Sequence, residues 1–524
     1  MAEEGGAGPP PVRILRPESS VTSESLVQEK LIGAASIFAD LLRPTYGPMG
    51  LDKMLYKSNG EASITNDGAK IVSELMVKHP TAKAFVSLGE SQESAAGDGV
   101  TGCILFAGAL MYEAGLLINK GLHPLVIVEG YREACNISMS KLDDIAFLYN
   151  DNELLNVAKT ALTGKVTNTA SENIAKLVIE AAKQIKTTSI CDSENILMAK
   201  SPNNIPMSIE LIKGLIIQKK LHLDRTPSDI KNCKVALVNG EVGIRSLTRD
   251  AEIEINSPEE LSDFIESEEH EIENLSEKLI QLGINALFSS GEINKEILHK
   301  LLSKNIFALG GLSSLELDNL SKVTLAKACP VIDDISPDDL GLIGVLKTET
   351  INSNGETSQR ILIDDCKDSK LITFDVGGSD DLVVEETIRA IHDSVKATFL
   401  TINSKELVLG GGNPHTLLSI KVREIADTKQ GRERLGMEAF ARALETIPAT
   451  LAANAGKSSL DSVIELRSRL KNESANLGIG INGEIEEIES AREPKESLQH
   501  SINSASETVI GLLRVDQLIS ARGD

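Results

Sequence analysis

The sequence changes its periodicity twice along its length, and that alternation limits the folds open to it. Near the start, Val27, Leu31, Ala35, Phe38 and Leu42 recur at helical spacing, and the run stops before Pro44. Residues 104–117 and 435–451 carry similar stripes, the second through Leu435, Ala439, Leu444, Ile447 and Leu451, with Pro448 predicted to kink its last turn. The middle differs. Residues 234–240 (KVALVNG), 284–290 (INALFSS) and 305–311 (NIFALGG) are short β-rich runs alternating with helical stretches, the pattern of an α/β domain. Helix returns before the end, finishing with TVIGLLRVDQLIS at 508–520. A chain of 524 residues with such a change of character exceeds one simple core and predicts two to four domains.

Residues 1–20, rich in Pro, Gly and Glu, read as an arm without stable structure, with 12–15 as a candidate edge strand. In the middle region, residues 251–255 alternate polar and apolar. Ser257 is the expected N-cap of a following helix, with Pro258 at its first position and Glu260 completing a capping box. Leu261, Phe264, Ile265, Ile272, Leu275 and Leu279 form its apolar face, and residues 268–273 make the opposite side strongly acidic.

Charge and composition remove whole classes of function. Lys+Arg 53 against Asp+Glu 77 leaves a net charge of −24, a field that repels nucleic acid and anionic membranes. With no Trp and aromatics at 3%, base-stacking platforms are disfavoured and the core must be mostly aliphatic. Cys103, Cys135, Cys191, Cys233, Cys329 and Cys366 form no CxxC pair, so buried free thiols in a reducing compartment are expected. No run of about 18 apolar residues is apparent and the first residues do not resemble a signal peptide, so a cytoplasmic protein is expected.

Four Gly/Asp segments could carry chemistry: Tyr46-Gly47-Pro48-Met49-Gly50-Leu51-Asp52-Lys53, Asn66-Asp67-Gly68-Ala69, Gly97-Asp98-Gly99-Val100-Thr101 and Gly410-Gly411-Gly412. In the third, glycines let backbone N–H groups approach an anion and the following helix adds favourable partial charge. An aspartate within such a loop repels bare phosphate unless a divalent cation lies between them, so the segment reads as a Mg²⁺–phosphate cradle. A Gly-Asp-Gly turn alone has the same sequence. The chain has no Walker A loop: before Gly456-Lys457-Ser458, Leu451 stands where the first glycine belongs, and Gly456 reads as a helix end.

The order and spacing of these segments resemble the group II chaperonins, the archaeal thermosome and the eukaryotic cytosolic chaperonin, over about residues 13–520. Further matches are Lys78-His79-Pro80-Thr81-Ala82-Lys83, Gly121-Leu122-His123-Pro124, Glu129-Gly130-Tyr131-Arg132, Leu162-Thr163-Gly164-Lys165, Asp250-Ala251-Glu252-Ile253, Gly431-Arg432-Glu433 and Leu513-Arg514-Val515-Asp516. The resemblance implies a multidomain fold mixing α+β and α/β parts. After an arm at 1–12, a mostly helical equatorial ATP domain would comprise 13–145 and 404–524, and a hinge-like intermediate domain 146–213 and 370–403. An inserted α/β apical domain, 214–369, would bind clients and carry a helical lid near 243–278.

The same resemblance implies ATP or ADP with Mg²⁺ as ligands. Asp67 and Asp393 would position the attacking water, and Asp98 would hold the metal. Gly47, Pro48, Gly97, Gly99, Val100, Thr101, Gly164, Lys165, Gly411, Gly483 and Glu493 would surround the nucleotide. It also implies sister subunits in stacked eight- or nine-membered rings and unfolded proteins as clients, with no nucleic acid and no membrane. On a helix near 386–397, Ile388, Ile391 and Val395 form the apolar stripe and Asp393 points away from it, as a solvated aspartate would.

The chain departs from the family pattern Gly-Asp-Gly-Thr-Thr-[ST] at Val100 and Gly102, losing two hydroxyls from the phosphate loop. A hydrogen bond to a charged group is worth about 1.5–3 kcal/mol, so their loss predicts turnover or binding weakened roughly 10²-fold or more. Lys70, Met49, Asn413-Pro414-His415 and Leu498 are further departures, and Gly310-Gly311 lacks the basic pair usual at that strand end. The retained aspartates favour a weakened ATPase in a mixed ring; a non-catalytic structural or client-binding subunit is the alternative.

Overall fold

The computed structural model describes residues 21–519 apart from 24, 57–59, 61, 166–167, 189–191, 202–207, 220–226, 228, 244–256, 354–355, 379 and 473–475. The N-terminal arm, Cys191, the alternating segment 251–255 and the early part of the lid segment lie outside these residues. Contacts divide the chain into two compact units, Met1–Asn168 with Lys396–Asp524, and Thr169–Val395.

The first unit is built around the helix Val100–Asn119, whose residues are apolar almost all round. Such a helix must be covered on every side, and it is covered by Ser25–Leu42, Pro80–Ala96, Glu433–Leu444 and Lys495–Leu513. It is long and apolar enough to cross a membrane by length and composition, which corrects the sequence expectation, yet most of it is buried in this core. Gly108 permits the closest crossing, since a Cβ there would sit 2.3 Å from Ala39 Cβ. The few aromatic rings gather in edge-to-face pairs, Phe106 with Phe440 at 5.3 Å and Tyr131 with Phe440 at 5.8 Å. Buried Tyr131 donates its hydroxyl hydrogen to the Leu110 carbonyl at 2.7 Å.

Two helices of this unit begin with the same His-Pro device. Pro80 and Pro124 take the first helical positions, where no N–H is needed. The preceding His79 and His123 accept from the N–H groups of Thr81 and Leu125. The single helix expected over 435–451 is instead two, Glu433–Leu444 and Thr446–Asn454. Pro448 has no N–H to donate to Leu444 and its ring crowds that carbonyl, so the chain breaks at Glu445 rather than kinking later. Glu445 is buried there between Arg423 and Arg467, at 2.9 and 3.0 Å. Gly456, with φ +78, follows the second helix as expected. The strand Val21–Ser23 pairs antiparallel with Gln517–Ile519, joining distant parts of the sequence.

Among the described residues, the second unit holds two sheets. In the larger, Phe307–Leu309, Ala286–Ser289 and Asp229–Val238 run parallel, followed by antiparallel Gly341–Ser353, Glu356–Asp364 and Leu215–Gln218. The three β-rich runs of the sequence are therefore adjacent parallel strands. Along Asp229–Val238, Val235 and Leu237 enter one apolar cluster while Ala236 and Val238 enter another. Helices therefore cover both faces, as the continuous apolar runs require. The helix Pro258–Gln281 starts at the expected proline, and Ile272 and Leu279 bury as expected while much of residues 266–271 is exposed. The smaller sheet places Ile372–Gly377 between parallel Ile196–Ser201 and antiparallel Ser208–Ile212. Arg360 is buried beside it, bonded to Asp375 at 2.8 Å and Glu349 at 2.7 Å.

The five cysteines among the described residues are all buried free thiols. Burial pushes Cys103, Cys233 and Cys366 up to about 12, so none is a ready nucleophile.

Candidate functional site

The site of the first unit forms where one helix ends and the next begins. Gly97 terminates Pro80–Ala96 with φ +70, its N–H donating to the Glu93 carbonyl, and Gly99 opens Val100–Asn119 with φ +85. Both left-handed conformations suit glycine. Gly97 is doubly constrained, because a Cβ would lie 2.0 Å from Lys396 Cδ. Between the glycines, Asp98 accepts from its neighbour's N–H through Oδ1 at 2.8 Å. The first N–H groups of the new helix have no intrahelical acceptor and present partial positive charge at the loop. Val100 supplies only its N–H, because its side chain is buried in the core beside Gly89.

Three further segments converge on this loop. Asp67 caps the helix Gly68–Glu74, accepting from Ala69 and Lys70 at 2.9 and 3.4 Å. Gly68 then lies so close to Thr101 that a Cβ would come within 2.2 Å of the threonine hydroxyl. Asn66 donates to the Gly164 carbonyl at 3.0 Å. Gly164, with φ +81, packs against the Gly47–Pro48 backbone. Next to it, the Lys165 ammonium lies 3.6 Å from Asp98 Oδ1. Asn454 holds the other flank, donating to the carbonyls of Arg43 and Tyr46 at 2.9 and 2.8 Å.

Glu493 is placed by strand pairing. Arg492–Pro494 lies antiparallel to Glu406–Leu409 with Val408 opposite Glu493, and the triple glycine follows directly. Gly411 fits without a side chain: a Cβ would sit 2.9 Å from the Ile479 carbonyl oxygen. Gly483 packs against Ala455 and Lys457, just past the Thr446–Asn454 helix that also reaches Gly47 through Leu451. Burial, and then the negative charge of Asp98, push the Glu493 carboxyl up to about 7. Burial, Glu493 and Asp98 together push the Tyr46 phenol up as well. Asp98, Glu493 and Tyr46 therefore share one negative electrostatic environment.

That environment fits an anion held through a divalent cation. Asp98 and Glu493 present more negative charge than Lys165 offsets, and Asn66 Oδ1 is buried without a partner. Asp98 is a carboxylate that could ligate such a cation, with the glycine loop and the helix N-terminus beside it for the anion. Asp393 belongs to the second unit. It is buried at 6% exposure, whereas the sequence pattern put it on a face that solvent could reach. Its helix, Asp381–Ser404, buries Thr387, Ser394 and Thr398 as well as the apolar stripe, so position off that stripe did not mean exposure.

The description of one family model, the TCP-1/cpn60 chaperonin family, matches residues 38–523. Thermosome subunit beta of Methanothermobacter thermautotrophicus is 35% identical over 518 residues, 98% of this chain and 95% of that protein. The chain belongs to the TCP-1/cpn60 chaperonin family. Thermosome subunit alpha of the same organism is 35% identical over 520 residues, again 98% and 95%. The thermosome subunit of Pyrococcus horikoshii is 35% identical over 504 residues, 94% of this chaperonin chain and 91% of that protein.

Two residues of this chaperonin site escape sequence reasoning. Gln92, fully buried, donates to the Asp98 carbonyl at 3.0 Å and to Ser497, while its oxygen meets His500 Nδ1 at 2.8 Å. A polar residue at helical spacing between Leu88 and Ala96, both apolar, is the signal that could have found it. Tyr46 lies in the first Gly/Asp segment, but its packing against Gly102, 56 positions away, left no mark in the sequence.

Proposed function

We propose that this chaperonin chain is an ATP-hydrolysing subunit of a cytoplasmic double ring that encloses and folds unfolded proteins. The loop of Gly97, Asp98 and Gly99 at the N-terminus of a long buried helix, ringed by Asp67, Lys165 and Glu493, carries this reading. Its partners are sister subunits in stacked eight- or nine-membered rings and unfolded client proteins. The equatorial domain, 13–145 and 404–524, falls within the first unit, which also takes in residues 146–168 and 396–403 of the intermediate segments. In the second, the smaller sheet falls within the intermediate segments 146–213 and 370–403, and the larger within the apical segment 214–369. That separation into two sheets supports the three-domain reading.

The chain's own groups have distinct tasks. The N–H groups of Gly99, Val100 and Thr101 face phosphate oxygens, and Lys165 adds a positive charge beside Asp98. Mg²⁺, when bound through Asp98, neutralises phosphate charge. Asp67 and Asp393 orient and deprotonate the attacking water, while Gly47, Pro48, Gly411, Gly483 and Glu493 hold the nucleoside. Hydrolysis then drives domain movement and closes the lid over the client.

A weakly hydrolysing or non-catalytic ring member is the second reading, favoured by one observation: position 100 turns a methyl-bearing side chain into the core instead of a hydroxyl to the loop. Steady-state ATP hydrolysis with Mg²⁺ separates the two, comparing the chain with Asp393→Ala and Asp67→Asn. The asparagine preserves the helix cap. Turnover falling at least about 10²-fold in both variants is expected. No turnover above the variants, even after assembly with sister subunits, would remove the catalytic reading.

A further inference from the structure

The phenol of Tyr46 packs against Gly102. A Cβ at Gly102 would lie 3.4 Å from Tyr46 Cε2 and 3.5 Å from its hydroxyl oxygen. The ring is fixed from behind by Ala39, Leu105 and Ile447, and the backbone by Asn454, which donates to the Tyr46 carbonyl at 2.8 Å. Among the described residues, none makes a hydrogen bond with the Tyr46 hydroxyl. Tyr46 is half-buried, and its hydroxyl is not among the buried polar atoms that lack a partner, so a ligand at the loop can reach it.

The surroundings say which kind of ligand it would meet. A tyrosine phenol is protonated near neutral pH, so the hydroxyl acts as a donor. Gly102 is the third residue of its helix, within the turn whose N–H groups lack intrahelical acceptors. The acceptor that such a turn attracts is an anion.

We propose that the Tyr46 hydroxyl donates a hydrogen bond to a phosphate oxygen of the bound nucleotide, in place of a side-chain hydroxyl at position 102. This rests on the nucleotide-site reading above. The hydroxyls lost from positions 100 and 102 are thereby partly compensated from a different segment of the chain. Tyr46 is a binding residue for the phosphates and takes no proton in the reaction.

Calorimetric titration of the full chain with Mg²⁺·ADP and with adenosine tests this. Tyr46→Phe keeps the ring and its packing, so the unfolding temperature should not move. Its ADP affinity should fall about 10- to 100-fold, the range for a hydrogen bond to a charged group, while adenosine binding stays unchanged. Gly102→Ser added to Tyr46→Phe should recover most of the ADP affinity, since its Cβ meets the ring at ordinary contact distance. ADP binding unaffected by Tyr46→Phe overturns the proposal. So does an equal loss of ADP and adenosine, which would place Tyr46 at the nucleoside. A wild-type chain that binds neither probe removes the nucleotide reading itself, and this proposal with it.

Discussion

Replacing Glu493 by glutamine should stabilise the first unit, and only at neutral to alkaline pH. The carboxyl is raised from 4.5 to about 7 by burial and by Asp98, so the folded protein holds its proton more tightly than the unfolded chain does. Between those two values the folded state binds more protons, and stability must fall as pH rises. Ionising Glu493 by pH 8 costs at most about 3.4 kcal/mol at 1.36 kcal/mol per pH unit. Its side chain is only partly buried, so solvent screening reduces this to about 1–2 kcal/mol. Below pH 4.5 the cost disappears. Glu493→Gln should therefore raise the unfolding temperature by about 2–6 °C at pH 8 and by almost nothing at pH 4.5. Scanning calorimetry supplies the temperatures, and hydrogen exchange in Val100–Asn119 assigns the transition to this unit. Asp98→Asn should act in the same direction but less, because Asp98 is the smaller of the two causes. A shift of equal size at both pH values, or a destabilised variant at pH 8, would refute the reasoning.

Two other substitutions probe buried polar ties. Gln92→Leu removes the donor to the Asp98 carbonyl and the partner of His500 at one stroke. It should cost about 2–4 kcal/mol and speed exchange of the Gly97 and Gly99 amides; a loss under about 0.5 kcal/mol in thermal unfolding would show that the tie does not hold the loop. Arg360→Met strands the buried Asp375 carboxylate, which is 5% exposed, and should destabilise the second unit by about 3–5 kcal/mol. Adding Asp375→Leu should restore much of that stability, and urea unfolding followed by exchange in Gly341–Ser353 measures both steps.

Where one element's own pattern determines its environment, the sequence was readable. The stripe from Val27 to Leu42 is buried in the helix Ser25–Leu42, and the runs at 234–240, 284–290 and 305–311 are neighbouring parallel strands. Glycines 97 and 99 take left-handed conformations, which their own residue type permits. Harder to read was anything set by a second element. Asp393 looked solvated because periodicity finds only the most apolar face of a helix, and its helix is packed on more than one. Val100 was expected among the nucleotide-binding residues; its side chain is buried beside Gly89, which leaves its backbone N–H for that role. Gln92 and Tyr46 matter through Asp98 and Gly102, contacts created by tertiary folding.

The pairing of Val21–Ser23 with Gln517–Ile519, and of Gln28 with the carbonyls of Leu513 and Val515, sets a timetable for biosynthesis. A ribosome delivers the first 168 residues of the first unit, then more than two hundred belonging to the second, before releasing the remainder. At about 5–20 residues per second, the early helices wait some 15–80 s for their partners. Throughout that interval the flanks of Val100–Asn119 that Glu433–Leu444 and Lys495–Leu513 will cover have nothing to cover them. The continuous second unit can meanwhile finish folding. During its own synthesis, this chain therefore spends tens of seconds as the kind of aggregation-prone polypeptide that chaperones protect.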